Sequence, residues 1–296
     1  MNLRGAHSGL ITSTGVILGS QNACLRAAFF REYAEEVDGF KLQPDLRASI
    51  TFGLGHTIED VFESRLKASC INYTKEKLIV DPITDKVNFC GHMDFVNEDE
   101  GYPYELKSIS STNTAEKVLI YSKPKLENLM QLSCYMVAMS ADKAKLCYGN
   151  MVYHKWVGVE EEVWDHAKSL KHPSVICQKD RLSKALTIRI EPTFKIFEIS
   201  IDSEGIVSYD NHRTSITVED IVRYREEAAK YLETKTFPTL RPEPIEGDFP
   251  VCYSCKWKNE CKAWDEGVFN NEEDLLSSAK SRLVSLNGQN LKTLVL

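Results

Sequence analysis

Gly91-His92-Met93-Asp94-Phe95-Val96, followed by Tyr104-Glu105-Leu106-Lys107, holds most of the chemical information in this chain. Both segments read as strands, and Glu98-Asp99-Glu100-Gly101 between them reads as a turn. Side chains alternate along a strand, so Glu105 and Lys107 share one face while Tyr104 and Leu106 share the other. In the first strand Asp94 points away from Met93 and Phe95. A hairpin symmetric about Asp99 and Glu100 sets Asp94 directly across from Glu105. Opposed Cβ atoms stand only about 4.5–5.5 Å apart, where two like charges repel. A divalent cation turns that repulsion into binding, and oxygen ligands suit magnesium or manganese. Lys107, on the same face, is placed to orient or help deprotonate a metal-bound water. The competing reading is a half-buried hairpin with an ordinary surface Glu–Lys pair.

Working outward, apolar residues at helical spacing (Leu25, Ala28, Phe29, Tyr33, Val37) predict a helix from Ser20 to Val37, with Ser20 or Asn22 as N-cap. A second helix, Ile50 to Ser69, carries Phe52, Ile58, Val61, Phe62 and Leu66, with His56 and Glu59 on a different arc. Strands are expected at Lys77–Val80, Lys86–Val96 and Tyr102–Ile109, then a helix from Pro124 to Ser140 with Pro124 in its first turn. Gln131 and Tyr135 face the same way on that helix. Strands at Ala144–Val157 and Thr193–Ile201 and a helix at Val218–Leu232 follow. Pro238, Pro242, Pro244 and Pro250 make 236–250 an extended connector. This order describes a single domain with a mixed α/β core over about residues 20–235 and additions at its ends. Extra sequence occupies 158–192, and a tail over 265–296, with Leu275, Leu276, Leu283, Val284 and Leu286, is a candidate helix for subunit contact.

The 296 residues suffice for one or two domains, and a net charge of −7 argues against a generally basic nucleic-acid coat, leaving room for a local groove or a cation site. A leader-like segment and an apolar run of membrane-spanning length are both missing from the pattern, which points to the cytoplasm and away from a membrane. In that compartment clustered cysteines more often bind metal than form disulfides. Cys252-Tyr-Ser-Cys255-Lys-Trp-Lys-Asn-Glu-Cys261 gives C-x2-C-x5-C, three thiolates within reach of one centre. With the last histidine at His212, a fourth ligand comes from far away in the chain, and Cys24 is the best candidate. Zinc and an iron–sulfur cluster both fit this thiolate set. Cys90, Cys134 and Cys147 lie in apolar patterns that suit buried free thiols, while Cys70 and Cys177 are less clear. Lys256 and Lys258 around Trp257 could guide a nucleic-acid strand, although packing of Trp257 against the cysteine cluster is the simpler expectation.

The ordered set Cys24, His56, Asp94, Glu105-x-Lys107, Gln131-x3-Tyr135, Cys252, Cys255 and Cys261 resembles the RecB-like branch of the PD-(D/E)xK nuclease superfamily. It is most similar to the stand-alone iron–sulfur exonucleases of CRISPR-associated "Cas four" type, including those carried by viruses. The resemblance implies a restriction-endonuclease-like core, a mixed central sheet flanked by helices, with a cysteine region over about 236–264 joining the N- and C-terminal segments. It implies that His56, Asp94, Glu105 and the main-chain carbonyl of Leu106 hold the catalytic Mg2+ or Mn2+. Lys107 is then the catalytic lysine, Gln131 and Tyr135 form the motif that follows it, and the four cysteines carry a structural [4Fe–4S] cluster. The implied activity is exonucleolytic hydrolysis of DNA, usually from single-stranded ends, in recombination, repair or spacer acquisition. Homo-oligomers and recombination or spacer-integration proteins are the implied partners. An endonuclease of the same fold and a non-enzymatic, zinc-binding nucleic-acid module are the alternatives. Met93 stands where the superfamily often has proline.

Overall fold

The computed structural model describes residues 11–12, 25–30, 33–34, 46–85, 87–109, 111–238, 255 and 257–294. Its centre is a mixed sheet of eight strands. The hairpin strands β3 (Asn88–Asn97) and β4 (Tyr102–Ser108) pair with Phe95 opposite Tyr104, Val96 opposite Pro103 and Asn97 opposite Tyr102, the register the symmetric turn requires. Gly101, at φ +74°, closes the turn in a backbone region that costs a glycine little. On one edge β3 pairs along its length with β2 (Tyr73–Pro82); on the edge it shares with β4 it also takes the short parallel strand β1 (Ile11–Thr12). On the other side β4 runs parallel to β5 (Lys143–Asn150), and the sheet continues through β9 (Thr193–Ile201), β10 (Ile206–Tyr209) and β11 (His212–Thr217).

Helices cover both faces, as expected for a sheet with apolar residues on each side. Helix α2 (Leu46–Ala68) lays Ile58, Phe62 and Leu66 on Phe95, Tyr104, Leu106 and Cys147. On the opposite face α4 (Leu126–Met139) buries Leu129, Leu132 and Met136 among Phe89, Met93 and Tyr148, and α6 (Val218–Thr234) packs beside it. Pro124 precedes the helix rather than opening it. Lys125 is the extended N-cap, and its amide is held by the Tyr148 hydroxyl at 2.9 Å, so helical geometry begins only at Leu126. Between β4 and α4 the chain makes a short helix, α3 (Thr112–Ala115), and a π-helical turn over Glu116–Ile120.

The run expected as one strand from Ala144 to Val157 is two strands in different sheets. It breaks at 151–153, and β6 (His154–Val157) joins a second, three-stranded antiparallel sheet with β7 (Val175–Lys179) and β8 (Leu186–Ile190). Helix α5 (Glu161–Ser169) packs on this sheet, so the extra sequence is a structured layer. Of the expected first helix, the described residues are α1 (Leu25–Phe30) and the π-helical pair Tyr33 and Ala34. Helix α1 joins α7 (Lys258–Asp265) and α8 (Glu272–Leu294) in a separate core of Phe29, Phe30, Phe237, Trp257, Leu275 and Leu283. The tail is thus helical, with Leu275 and Leu283 buried inside the protein and Val284 exposed. Among the described residues no helix is long and apolar enough to cross a membrane.

Candidate active site

The candidate site lies where β3 and β4 part. Along the edge that β3 turns toward β4, residues 95–97 pair with β4 and residues 89–90 with β1. Among the described residues, 91–94 pair with neither strand on that edge. Buried main-chain groups in such a gap need other partners, and side chains supply them. The Asp94 Oδ2 accepts the Leu106 amide at 2.6 Å, and the Tyr135 hydroxyl donates to the His92 carbonyl at 2.8 Å. Gly91 makes room for that tyrosine: a Cβ there would stand 2.6 Å from the Tyr135 ring. In a strand the N–H and C=O of one residue project to the same side, so the Leu106 carbonyl is directed into the same gap.

Glu105 is 2% exposed and Lys107 has 26% of its side chain exposed, and the Lys107 ammonium donates to Glu105 Oε1 at 2.6 Å. The second carboxylate oxygen, Oε2, is buried with no hydrogen-bond partner. Burial, and then the charge of Glu105, hold the Asp94 carboxyl well above the usual carboxylate range, against the pull of Lys107 and the Leu106 amide. Burial raises Glu105 as well; Lys107 opposes that rise and Glu59 adds to it. Burial works against the Lys107 ammonium, but Glu105 and Asp94 outweigh it and keep the lysine charged. Among the described residues the site therefore crowds two buried carboxyls against the Lys107 ammonium. An orphaned buried carboxylate oxygen beside a second carboxylate fits a divalent cation, which would complete its coordination there.

The other expected site residues are distributed as follows. Gln131 and Tyr135 are both buried on α4, with Tyr135 shaping the gap from behind the strand. His56 lies on α2 with 74% of its side chain exposed, 3.6 Å from Glu59. Among the described residues no three His, Cys, Asp or Glu side chains converge as a metal-holding cluster, so His56 is not drawn in beside Asp94 and Glu105. Instead Glu59 sends its field into the site, raising both carboxyls. The signal for it was its place next to Ile58, which packs on the sheet, whereas His56 points off it.

At the other end of the molecule, Cys24 and Cys252 lie outside the described residues; Cys255 and Cys261 are half-buried against the α1–α7–α8 core. Arg26 clips these elements together. It donates from Nε to the Pro238 carbonyl at 2.7 Å and forms a two-pronged pair with Asp265 at 2.9 and 3.0 Å, and it also reaches the Cys261 thiol. Trp257 is buried and stacks on Phe30 with ring centroids 4.7 Å apart, so it packs beside the cysteine region and is closed to nucleic-acid bases. Of the remaining cysteines Cys90, Cys134 and Cys147 are buried, with burial pushing the Cys134 thiol up to about 12. Cys177 is half-buried, whereas Cys70 is exposed on the turn after α2 and fills no core.

No family model and no curated protein matches the chain. Solved structures that show a likeness include the following. An alkaline exonuclease (LHK-Exo) from Laribacter hongkongensis is 14% identical over 78% of this chain and 91% of its own, with a TM-score of 0.44. A phage-related exonuclease from Haemophilus somnus 129PT is 12% identical over 71% and 81%, with a TM-score of 0.39. The protein SSO0001 is 21% identical over 47% of this chain, which spans 61% of that protein, with a TM-score of 0.33.

Proposed function

We propose that this chain is a divalent-metal-dependent deoxyribonuclease that hydrolyses phosphodiester bonds from DNA ends, favouring single strands, and carries a structural [4Fe–4S] cluster. The observation that carries the reading is the buried, unpartnered Glu105 Oε2 beside Asp94, with Lys107 fixed on the other oxygen of the same carboxylate. Glu105, Asp94 and the Leu106 carbonyl would hold Mg2+ or Mn2+. When bound, such a cation polarises a phosphate and lowers the pKa of an attacking water. The chain's own residues do the rest. The Leu106 amide fixes the rotamer of Asp94, and Glu105 holds the Lys107 ammonium where charge builds on the phosphate. Tyr135 keeps the strand gap open by holding the His92 carbonyl. The cysteine chemistry, with Cys255 and Cys261 half-buried beside the helix that follows Cys24, supports a shared thiolate centre. Roles in recombination, repair or spacer acquisition, with homo-oligomers or integration proteins as partners, belong to the same reading.

End-labelled linear DNA and circular single-stranded DNA, each incubated with Mn2+, test it. The linear strand should shorten from its ends while the circle stays intact, and Lys107→Ala should lose cleavage but keep its iron, sulfide and visible absorbance. Cleavage retained in Lys107→Ala would overturn the active-site assignment, and a colourless protein with zinc and no iron would overturn the cluster.

A further inference from the structure

The loop between the two sheets presents Met151, Val152 and Tyr153 in succession at 37%, 44% and 52% exposure. Three consecutive large apolar side chains facing water are uncommon on a soluble surface and mark a contact surface. The loop is also held in one shape. Asn150, completely buried, donates from Nδ2 to the Val152 carbonyl at 2.9 Å and to the Glu191 carbonyl at 3.3 Å. With the amide nitrogen so used, its Oδ1 accepts from His154 Nε2 at 3.1 Å, and His154 in turn stacks on Trp156. A buried Asn–His pair thus holds the base of a tip whose apolar side chains are more than one-third exposed.

The tip is continuous with the candidate active site. Lys107 pairs with Tyr148 and Ser108 with Gly149 across the parallel strands, and the Ile109 amide donates to the Gly149 carbonyl at 2.9 Å. Residues 151–153 therefore follow Tyr148, the partner of Lys107, by three to five positions, at most about 10–17 Å at about 3.3 Å per residue. Stacked bases repeat about every 3.4 Å along a strand, so a strand with a phosphate at Asp94 and Glu105 would carry a base to the tip within a few nucleotides. Lys155, exposed on β6 next to the tip, supplies a cation for the accompanying phosphate.

Resting on the nuclease reading above, we propose that Val152 and Tyr153 form a stacking platform for an unpaired base of the bound DNA strand, with Asn150 as the positioning residue that holds it. Aromatic and apolar contact with a base is sequence-tolerant, because every base has a π-face, so the platform would select unpaired over duplex DNA without selecting sequence.

The test is a coupling cycle between the protein and the base. Fluorescence anisotropy in EDTA measures binding of a single-stranded oligonucleotide and of its counterpart with abasic sites near the labelled end, to the full chain and to Tyr153→Ser and Val152→Ser. Loss of the tyrosine should weaken binding of the normal strand about 5- to 100-fold, the range of one lost stacking contact. The abasic strand should bind both proteins equally weakly. Asn150→Ala should lower affinity in the same base-dependent way. Equal weakening of both strands, or unchanged binding with altered self-association in sedimentation, would overturn the platform. Failure of the unmodified protein to bind either strand, with or without Mn2+, would instead overturn the nuclease reading itself.

Discussion

Lys107→Met separates an ion pair from the carboxylate it protects. Glu105 is 2% exposed, and its Oε1 receives the ammonium at 2.6 Å while Oε2 has no hydrogen-bond partner. Removing the lysine leaves a buried carboxylate with neither oxygen satisfied. Breaking a fully buried pair from one side costs about 3–5 kcal/mol. Because Lys107 keeps 26% of its side chain in solvent, water can enter the gap, and roughly 2–3 kcal/mol is the appropriate range. For a chain of 296 residues that lowers Tm by about 3–5 °C. The folded-state carboxyl of Glu105 is already raised by burial, and loss of Lys107 removes the main opposing influence. A group raised in the folded state favours folding while protonated, so the deficit should be largest near about pH 8 and shrink as pH falls toward about 5. Thermal unfolding in EDTA across that range is the assay, with Lys107→Met/Glu105→Gln as the control that removes the stranded charge and regains stability. A variant whose Tm near pH 8 matches the parent would refute the reasoning, as would a deficit that grows on acidification.

Asp94→Asn should raise the Tm of the metal-free protein by a few degrees near about pH 8, since it removes one of the crowded buried carboxylates, and should abolish the stabilisation that Mn2+ gives the parent; differential scanning fluorimetry reads both. Gly91→Ala puts a methyl group 2.6 Å from the Tyr135 ring, which must move off the His92 carbonyl; a loss of about 1–3 kcal/mol in urea unfolding is expected, and less than that in a Tyr135→Ala background. Arg26→Ala removes the Pro238 and Asp265 contacts that clip α1 to the C-terminal helices, so limited proteolysis should cut near the N-terminus several-fold faster and, on the proposed cluster reading, the iron content should fall.

The hairpin's register was legible because a short turn fixes it locally, but the expected alternation breaks at Asp94: Met93 packs on the α4 face and Phe95 on the α2 face, so the two do not share a side. Thr193–Ile201 was legible from its local pattern. The gap in the sheet was not, because it depends on β1, a distant strand of two residues that takes the edge of β3 which β4 gives up. The break after β5 was hidden by Met151-Val152-Tyr153, which continue the apolar run, and is set by hydrogen bonds from Asn150 to residues beyond the strand. His56 and Glu59 lie on the same arc of one helix by spacing alone, and only the packing of α2 on the sheet leaves His56 exposed while Glu59 is mostly covered. Charged residues on a helix announce a face, while the strand they overlook is a tertiary fact.

The most direct measurement of the central claim is calorimetric titration of Mn2+ into the metal-free protein and into Glu105→Gln. The buried Oε2 and the raised carboxyls predict one site in the parent whose affinity climbs with pH as those carboxyls ionise, and its loss in the variant. Equal Mn2+ binding by Glu105→Gln, or no binding by the parent at any pH at which it is folded, would contradict it.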